Sequence, residues 1–256
     1  MSILKLLAAA TALAAAIGGQ AIAADLPPAP PPPPPRAPAA YIPPAPVFSW
    51  TGFYLGGNVG FGWNQGGVTD SLFGLSYGNP SANGVFIGGG QLGANYQAGA
   101  FVIGAEADFD WAANNKNSFP GTAVPAVGTV RVSSNNRWIT TLAARFGWAV
   151  DHFLIYGKAG GGWIGAGNFA LTNVSTGGTF TVSNSNTNYG WLVGLGTEYA
   201  ITNNVTAKLE YDYVGISNGS YTVPAGAPFL AGDTFNSSGR SIQMLTVGVN
   251  YLFNGT

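Results

Sequence analysis

The stretch FYLGGNVGFGWN, residues Phe53–Asn64, alternates between apolar and small or polar side chains. One face carries Phe53, Leu55, Val59, Phe61 and Trp63, and the other carries Tyr54, Gly56, Asn58, Gly60, Gly62 and Asn64. Successive side chains of a β-strand point to opposite sides, so this period of two predicts a strand with one apolar and one polar face. The stretch is also long enough for a tilted strand to cross a bilayer.

Seven further segments show related patterns. They are Val85–Tyr96, Phe101–Trp111, Arg137–Val150, Leu154–Gly165, Tyr189–Tyr199, Val205–Tyr213 and Ser241–Phe253. Short turns near 97–100, 150–153 and 201–204 alternate with long polar stretches near 66–83, 112–135, 166–186 and 215–239. This asymmetry is typical of membrane barrels with short periplasmic turns and longer external loops. The sequence therefore predicts an all-β fold, an eight-stranded antiparallel up-and-down transmembrane β-barrel with four long external loops.

Composition indicates which face of these strands meets lipid. Charged residues make up only 7% of the chain, whereas a soluble domain carries about a quarter. Aromatic residues cluster near the predicted strand ends, as they do at membrane interfaces. They are Trp50, Trp63, Trp111, Trp138, Trp148, Tyr189, Tyr199 and Tyr213. A soluble barrel would turn the same apolar faces inward, but the glycine- and asparagine-rich polar faces make a poor solvated surface. The membrane orientation is favoured.

The N-terminus has the order of a secretory signal peptide. Lys5 precedes the apolar run Leu6–Ile17, and Ala21–Ala24 supplies an Ala-x-Ala cleavage site after Ala23 or Ala24. We therefore expect a signal peptide over 1–23, a proline-rich periplasmic linker over 24–47 and a barrel domain over 48–256. Export through the periplasm and strands that cross a bilayer together predict the outer membrane of a Gram-negative bacterium.

The linker is dominated by proline from Pro27 to Pro46, which favours an extended polyproline II conformation. Two interpretations remain open. The segment is either a stiff spacer or, because Arg36 and Tyr41 interrupt the prolines, a docking site for a periplasmic partner.

Both ends of the barrel domain resemble a known family. The segment Phe48–Gly57 (FSWTGFYLGG), the junction Ala24–Pro27 and the closing Val247–Phe253 resemble the Omp25/Omp31-type surface proteins of alphaproteobacteria, within the broader OmpA-like eight-stranded barrels. The resemblance covers residues 48–253. It implies a surface antigen that contacts outer-membrane lipid and the outer-membrane assembly machinery, with no cofactor and no catalytic residues. For some members it also implies binding of haem or host surfaces. Asn254–Thr256 depart from the usual aromatic terminus, which bears on recognition by that machinery.

Charged residues on the polar faces are expected to point into the lumen. They are Glu106, Asp108, Asp110, Arg137, Arg145, Lys158, Glu198, Lys208, Glu210, Asp212 and Arg240, six acids and five bases. An eight-stranded barrel is only wide enough for side chains to fill it, and an unpaired buried charge costs several kcal/mol. These charges predict a salt-bridged plug, or alternatively a small cation-preferring pore that rearrangement of the pairs would open.

Other chemistry finds little support in the sequence. His152 is the only histidine and falls in a predicted periplasmic turn, which argues against a catalytic triad at the outer rim. Asp70 and Asp233 are the only acids in the long loops, so no calcium motif is present. A net charge of −1 provides no footprint for nucleic acid. We expect a non-enzymatic structural protein that contacts host or other cell surfaces through its loops. The second alternative, a receptor for haem or another ligand, leaves Tyr77 and Tyr221 as loop candidates for haem.

Overall fold

A computed structural model describes residues 48–78, 84–112, 116–182, 187–225, 227 and 230–253. The strands are β1 (Gly52–Asp70), β2 (Val85–Ala98), β3 (Phe101–Ala112), β4 (Lys116–Ser118), β5 (Thr122–Val124), β6 (Gly128–Val150), β7 (Phe153–Asn173), β8 (Thr179–Val182), β9 (Thr187–Ala200), β10 (Val205–Ile216), β11 (Gly219–Thr222) and β12 (Thr234–Phe253). No helix in the described part of the chain is long and apolar enough to cross a membrane. The expected signal peptide (1–23), linker (24–47) and terminal residues 254–256 lie outside the described residues.

Eight of these strands form a closed antiparallel barrel. Around the barrel the strands follow the order β1, β2, β3, β6, β7, β9, β10 and β12. Strand β12 pairs with β1 and closes the barrel, with Phe253 opposite Phe53. Each barrel strand thus has a hydrogen-bonded neighbour on both sides, which is what a sheet in lipid requires. The predicted eight-stranded antiparallel barrel is confirmed.

The outer face of the barrel wall is apolar. Leu195, in the middle of β9, has 68% of its surface exposed, and Phe53 at the start of β1 has 73%. Trp111, Trp148, Tyr189 and Tyr199 are also exposed near the strand ends, as predicted. The prediction is wrong for Trp50, which is only 1% exposed. Trp50 precedes β1, outside the alternating pattern, and packs inside the periplasmic mouth.

Four barrel strands continue beyond the bounds predicted for them. Strand β1 runs on to Asp70, β7 runs on to Asn173, and β6 and β12 begin at Gly128 and Thr234. The short strands β4 and β5 pair with β6, β8 pairs with β7, and β11 pairs with β12. We call this part the outer extension (described residues 66–78, 116–136, 166–182 and 217–240). The predicted long loops therefore contain the outer ends of barrel strands and four short added strands.

The polarity of the two faces reverses in the outer extension. Arg131 and Asn236 point outward and are exposed, while the inward side chains form an apolar core. That core consists of Val68, Tyr77, Phe119, Val124, Val130, Val132, Phe169, Leu171, Val223, Leu230 and Phe235. Outside the bilayer water surrounds the sheet, so apolar side chains are stabilised inside it.

Irregular register marks this reversal. The pairing of β1 with β12 shifts between Gln65 and Gly67, and that of β6 with β7 shifts between Ser134 and Trp138. A β-bulge adds an unpaired residue to a strand and changes which face later side chains occupy. A search for uninterrupted alternation stops at such a point, which is why the predicted strands ended there.

Replacing Leu195 with Arg is expected to lower the free energy of unfolding by about 2–4 kcal/mol, the cost of a cation near the bilayer midplane. The matched control is Ile201→Arg, beside the periplasmic turn, where the cost falls to about 0–1 kcal/mol. Urea-induced unfolding of the barrel in phospholipid vesicles, followed by tryptophan fluorescence, measures both. Equal losses would contradict this placement in the membrane.

Candidate functional site in the barrel lumen

The periplasmic end of the lumen is closed by apolar side chains, which we call the periplasmic layer. It comprises Phe48, Trp50, Tyr54, Val102, Ala149, Leu154, Tyr156, Ala200 and Leu252. The backbone N–H of Trp50 donates to Gln97 Oε1 at 2.8 Å, and the Phe48 ring stacks on His152 with centroids 5.1 Å apart. The residues that precede β1 therefore fold into the mouth and help to close it.

Nine of the charged residues predicted to face the lumen lie together above this layer and are buried. This central charge cluster consists of Glu106, Asp108, Asp110, Arg145, Lys158, Glu198, Lys208, Glu210 and Asp212. They come from five strands, β3, β6, β7, β9 and β10. Closure of the sheet brings them together, since inward positions of all strands share one lumen.

Three cations hold the cluster together, and Glu106 contacts all of them. Its Oε2 lies 3.1 Å from Arg145 Nη1, and its Oε1 lies 3.4 Å from Lys158 Nζ and 3.3 Å from Lys208 Nζ. Arg145 also binds Glu198, with Nη2 2.9 Å from Oε2. The guanidinium carbon lies 3.8 Å from the centre of the Tyr156 ring. Arg145 is thus held both by carboxylates and by an aromatic face.

The two lysines share the remaining carboxylates. Lys158 Nζ lies 2.7 Å from Glu210 Oε1, 3.0 Å from Asp212 Oδ2 and 3.3 Å from Asp108 Oδ2. Lys208 Nζ lies 3.3 Å from Glu210 Oε1 and 3.8 Å from Asp108 Oδ1. Each ammonium is surrounded by several anions, which is the arrangement that a buried charge requires.

Neutral side chains donate further hydrogen bonds to several of the carboxylates. The Tyr54 hydroxyl donates to Glu106 Oε2 at 2.7 Å and accepts from Arg145, and the Tyr156 hydroxyl donates to Glu210 Oε2 at 2.6 Å. Asn250 donates to Glu198 at 2.7 Å. Sequence reasoning missed these partners, although Tyr54 lies on the polar face of the first alternating stretch. A tyrosine on the polar face of an alternating strand indicates that its hydroxyl forms hydrogen bonds inside the lumen.

Glycine opposite each tyrosine makes room for the ring. Tyr54 pairs with Gly93 and Tyr156 pairs with Gly196 in neighbouring strands. A Cβ atom would lie 2.3 Å from the Tyr54 hydroxyl at Gly93 and 2.4 Å from the Tyr156 ring at Gly196. Only glycine allows the rings to lie against the wall there and direct both hydroxyls into the cluster.

The described members of the cluster include more acids than bases. The nine described residues comprise six carboxylates and three cations, a formal charge of −3, where six acids and five bases were expected to leave −1. Arg240 lies outside the cluster, in a cavity nearer the outer extension, because it lies further towards the outside along β12 than Met244, which pairs with Asp212 at the edge of the cluster. The side chain of Arg137 lies outside the described residues.

Asp110 is the least compensated member. It is buried, no cation lies within ion-pair distance of it in the described structure, and its Oδ1 has no hydrogen-bond partner.

Glu106, Asp108 and Glu210 place carboxylate oxygens within 4.8 Å of one another, a spacing that could hold a metal ion. The ammonium groups of Lys158 and Lys208 both contact these three carboxylates. A divalent cation would therefore have to displace two lysines from the position that it would occupy, and the geometry favours ion pairs within the protein.

A second apolar layer lies above the cluster, and we call it the outer layer. It comprises Ile87, Ile139, Ala143, Ile164, Leu192, Val214, Ile216, Ile242 and Met244. The charge cluster is therefore enclosed between two apolar layers. Exclusion of water strengthens its ion pairs and raises the cost of breaking any one of them.

The tyrosines that the sequence offered as haem ligands are not free. Tyr77 is 1% exposed and packs against Phe235, and its hydroxyl lies 3.5 Å from Asp70 Oδ2. Burial and the nearby Asp70 and Asp233 raise the pKa of Tyr77 well above its usual value, which opposes the tyrosinate form that binds iron. Tyr221 is half-buried and stacks on Phe169 with ring centroids 5.1 Å apart.

A family model described as outer membrane protein beta-barrel domain matches residues 37–253. The chain belongs to this family. Its relatives include a 22 kDa outer membrane protein of Rhizobium leguminosarum bv. viciae, 30% identical over 72% of this chain and 73% of the relative. They also include the 31 kDa outer-membrane immunogenic protein of Brucella melitensis (30% identity, 82% and 86% covered) and the 25 kDa protein of Brucella canis (28%, 82% and 82%). The predicted resemblance to Omp25/Omp31-type proteins is confirmed.

Solved structures similar to this family member include Neisserial surface protein A, with 15% identity, 79% of this chain and 98% of that chain covered, and a TM-score of 0.39. Another is the outer membrane protein AlkL in lipid bilayers, with 10% identity, 84% and 96% covered, and a TM-score of 0.46.

Membership of the family confirms the predicted location. The protein is an integral β-barrel of the Gram-negative outer membrane, and its apolar outer face contacts lipid.

Arg145→Met is expected to destabilise the barrel by about 3–5 kcal/mol, because it leaves Glu106 and Glu198 without their guanidinium partner in a dry lumen. Asp110→Asn is the matched comparison. It removes a carboxylate that has no cation, so its stability is expected to be unchanged or higher. Urea unfolding in lipid vesicles and the heat-dependent shift of the folded band on a gel measure both variants. A larger loss for Asp110→Asn than for Arg145→Met would contradict this account of the cluster.

Proposed function

We propose that this protein is a closed, non-enzymatic outer-membrane barrel that anchors its outer extension as a contact surface for other cells or their surface molecules. In this role the lumen serves stability, and the outer extension carries the function.

The observation that carries the closed state is the enclosure of the central charge cluster between the periplasmic and outer layers. A conducted ion would have to pass Trp50 and Leu252, disrupt the pairs around Glu106, and then cross the isoleucine side chains of the outer layer. Each step breaks compensated interactions among side chains that are buried from solvent, so the arrangement supports a plug rather than a pore.

The same enclosure argues against catalysis. Most of the charged groups that could act as acids or bases lie in the central charge cluster, shielded by apolar layers from both mouths. Asp70 and Asp233 are buried in the outer extension, where they accept hydrogen bonds from its backbone. The only histidine, His152, stacks on Phe48 at the periplasmic end. The described lumen therefore offers no acid–base group beside an open substrate cleft.

A rigid apolar tip on the outer extension supports the role in contact. Leu72 and Phe73 follow β1 and are 62% and 39% exposed. Their backbone N–H groups donate to buried carboxylates, Leu72 to Asp233 Oδ1 at 3.0 Å and Phe73 to Asp70 Oδ1 at 2.9 Å. Exposed apolar side chains on an ordered backbone lose little entropy when they bind, which favours a binding surface.

The N-terminal segments complete the proposal. We infer export by the signal peptide over 1–23, insertion by the outer-membrane assembly machinery, and a periplasmic linker over 24–47.

Single-channel recording in a planar bilayer tests the closed state. The refolded wild-type barrel and the Asp110→Asn variant are both expected to give no discrete current steps. Both apolar layers are intact in the wild type, and the substitution alters neither. A general porin added afterwards shows that the membrane can report conductance. Cation-preferring steps from the wild-type barrel would overturn the plug and establish the small pore.

Adhesion measurements test the contact surface. Bacteria that display the double variant Leu72→Ser, Phe73→Ser are expected to adhere to an epithelial monolayer in lower numbers than bacteria that display the wild type. Val174→Ser, which alters another exposed apolar residue of the outer extension (47% exposed), is the matched control. Protease accessibility on whole cells confirms equal display. Unchanged adhesion of the double variant would exclude this tip as the contact surface.

A further inference from the structure

The outer half of the lumen contains a cavity that the proposed function does not use. It has roughly 500 Å³ of space, part of it open to solvent, and lies between the outer layer and the core of the outer extension. Its lining includes Arg240, Ser134, Ser237, Ser241, Phe119 and Phe169. Aromatic surface combined with a few hydroxyl groups and one cation is typical of a small-molecule site.

Arg240 has unused hydrogen-bonding capacity in this cavity. Its Nη1 is buried and has no hydrogen-bond partner in the described part of the chain. No carboxylate there lies within ion-pair distance of it, in contrast to Arg145, which binds Glu106 and Glu198. A buried donor without a partner is unfavourable, and more so when the group is charged. An anionic ligand would recover that cost.

The backbone around Arg240 is shaped to place it there. Gly66 in β1 has φ +140° and Gly239 in β12 has φ +61°, conformations that other residues rarely adopt. A Cβ atom at Gly66 would lie 3.0 Å from both Cα and Cγ of Arg240. The bulge between Gln65 and Gly67 therefore lets the Arg240 stem pack against bare backbone. Bulges of this kind commonly redirect one side chain beside a functional site.

A second cavity meets the first at Asn64, which lines both. It has roughly 340 Å³ of space, part of it open to solvent. Its other lining residues are almost entirely apolar and include Ile87, Ala112, Ile139, Ile242 and Met244. A cavity that contains a cation thus lies beside an apolar one, and Asn64 lines both.

We propose that these two cavities form one binding site for an amphipathic organic anion, a short-chain alkyl carboxylate. The carboxylate accepts hydrogen bonds from the guanidinium of Arg240 and from the hydroxyls of Ser134 and Ser241, since the Ser237 hydroxyl already donates to the Gly219 carbonyl at 2.9 Å. The alkyl chain passes Asn64 and lies against the isoleucine and methionine side chains. The alkyl chain lies among residues of the outer layer, since Ile87, Ile139 and Ile242 line the second cavity. The ligand does not pass the central charge cluster, so binding needs no conducting lumen and stands independently of the closed state.

Binding of octanoate to the full barrel in a non-ionic detergent tests the site, with calorimetry as the measurement. Octanoate is expected to bind the wild type more tightly than either acetate, which lacks the chain, or 1-octanol, which lacks the charge. Arg240→Gln is expected to weaken octanoate binding about ten- to a hundredfold, the range of one charged hydrogen-bonded contact. Arg131→Gln removes an equal charge from an exposed position of β6 and is expected to leave binding unchanged. Octanoate also partitions into the detergent, but it does so equally for both variants. A difference between the two variants therefore reports binding to the protein.

Ala112→Leu tests the apolar part. It adds bulk to the second cavity and is expected to weaken binding of octanoate but not of acetate. Arg240→Lys keeps the positive charge and is expected to retain part of the affinity for octanoate. The heat-dependent shift of the folded band on a gel shows that each variant is folded. Equal octanoate binding by Arg240→Gln and Arg131→Gln would overturn the proposal. Octanoate binding no tighter than acetate would overturn its apolar part and leave a simple anion site.

Discussion

Closure of the sheet in lipid is the constraint on which the rest of this structure depends. A strand in hydrocarbon must find hydrogen-bond partners on both sides, and pairing of β12 with β1 supplies the last of them. Closure also gives each strand an outer face in lipid and an inner face in the lumen. Where the strands rise out of the membrane, water replaces lipid and the favoured polarity reverses. The irregular pairing near Gln65 and Asn136 provides that change without breaking the barrel.

The narrow lumen explains both the charges and the glycines. Eight strands enclose only enough space for side chains, so polar residues that face inward must satisfy one another. Glu106 receives three cations and a tyrosine hydroxyl. Gly93 and Gly196 provide the room for the tyrosine rings that complete this arrangement. The apolar layers on either side shield the cluster from solvent. This strengthens its ion pairs, which water would otherwise screen.

Most of the membrane-embedded part could be predicted because alternation is a local property. Phe53–Asn64 and Phe101–Trp111 show their two faces without reference to any other strand. The outer extension could not be predicted in this way. Val130, Val132, Phe169 and Phe235 occupy the face opposite to the one that the alternation below them predicts, and the bulges conceal the continuation. Trp50 was misplaced for a related reason, since it lies just before the alternating stretch and folds into the mouth.

The sequence by itself determined the fold class, the number of strands, the family and which charged residues the polar faces carry, since all of these follow from local pattern or from segment similarity. Only the tertiary structure decided which charges meet. Arg145 and Arg240 both lie on lumen-facing segments, yet Arg145 joins the central charge cluster and Arg240 lies in a cavity above it. The difference arises from the heights that strand stagger gives the two residues, since Arg240 lies further towards the outside than Met244, which pairs with Asp212 of the cluster. Strand stagger relates residues far apart in the chain, so no local pattern encodes it.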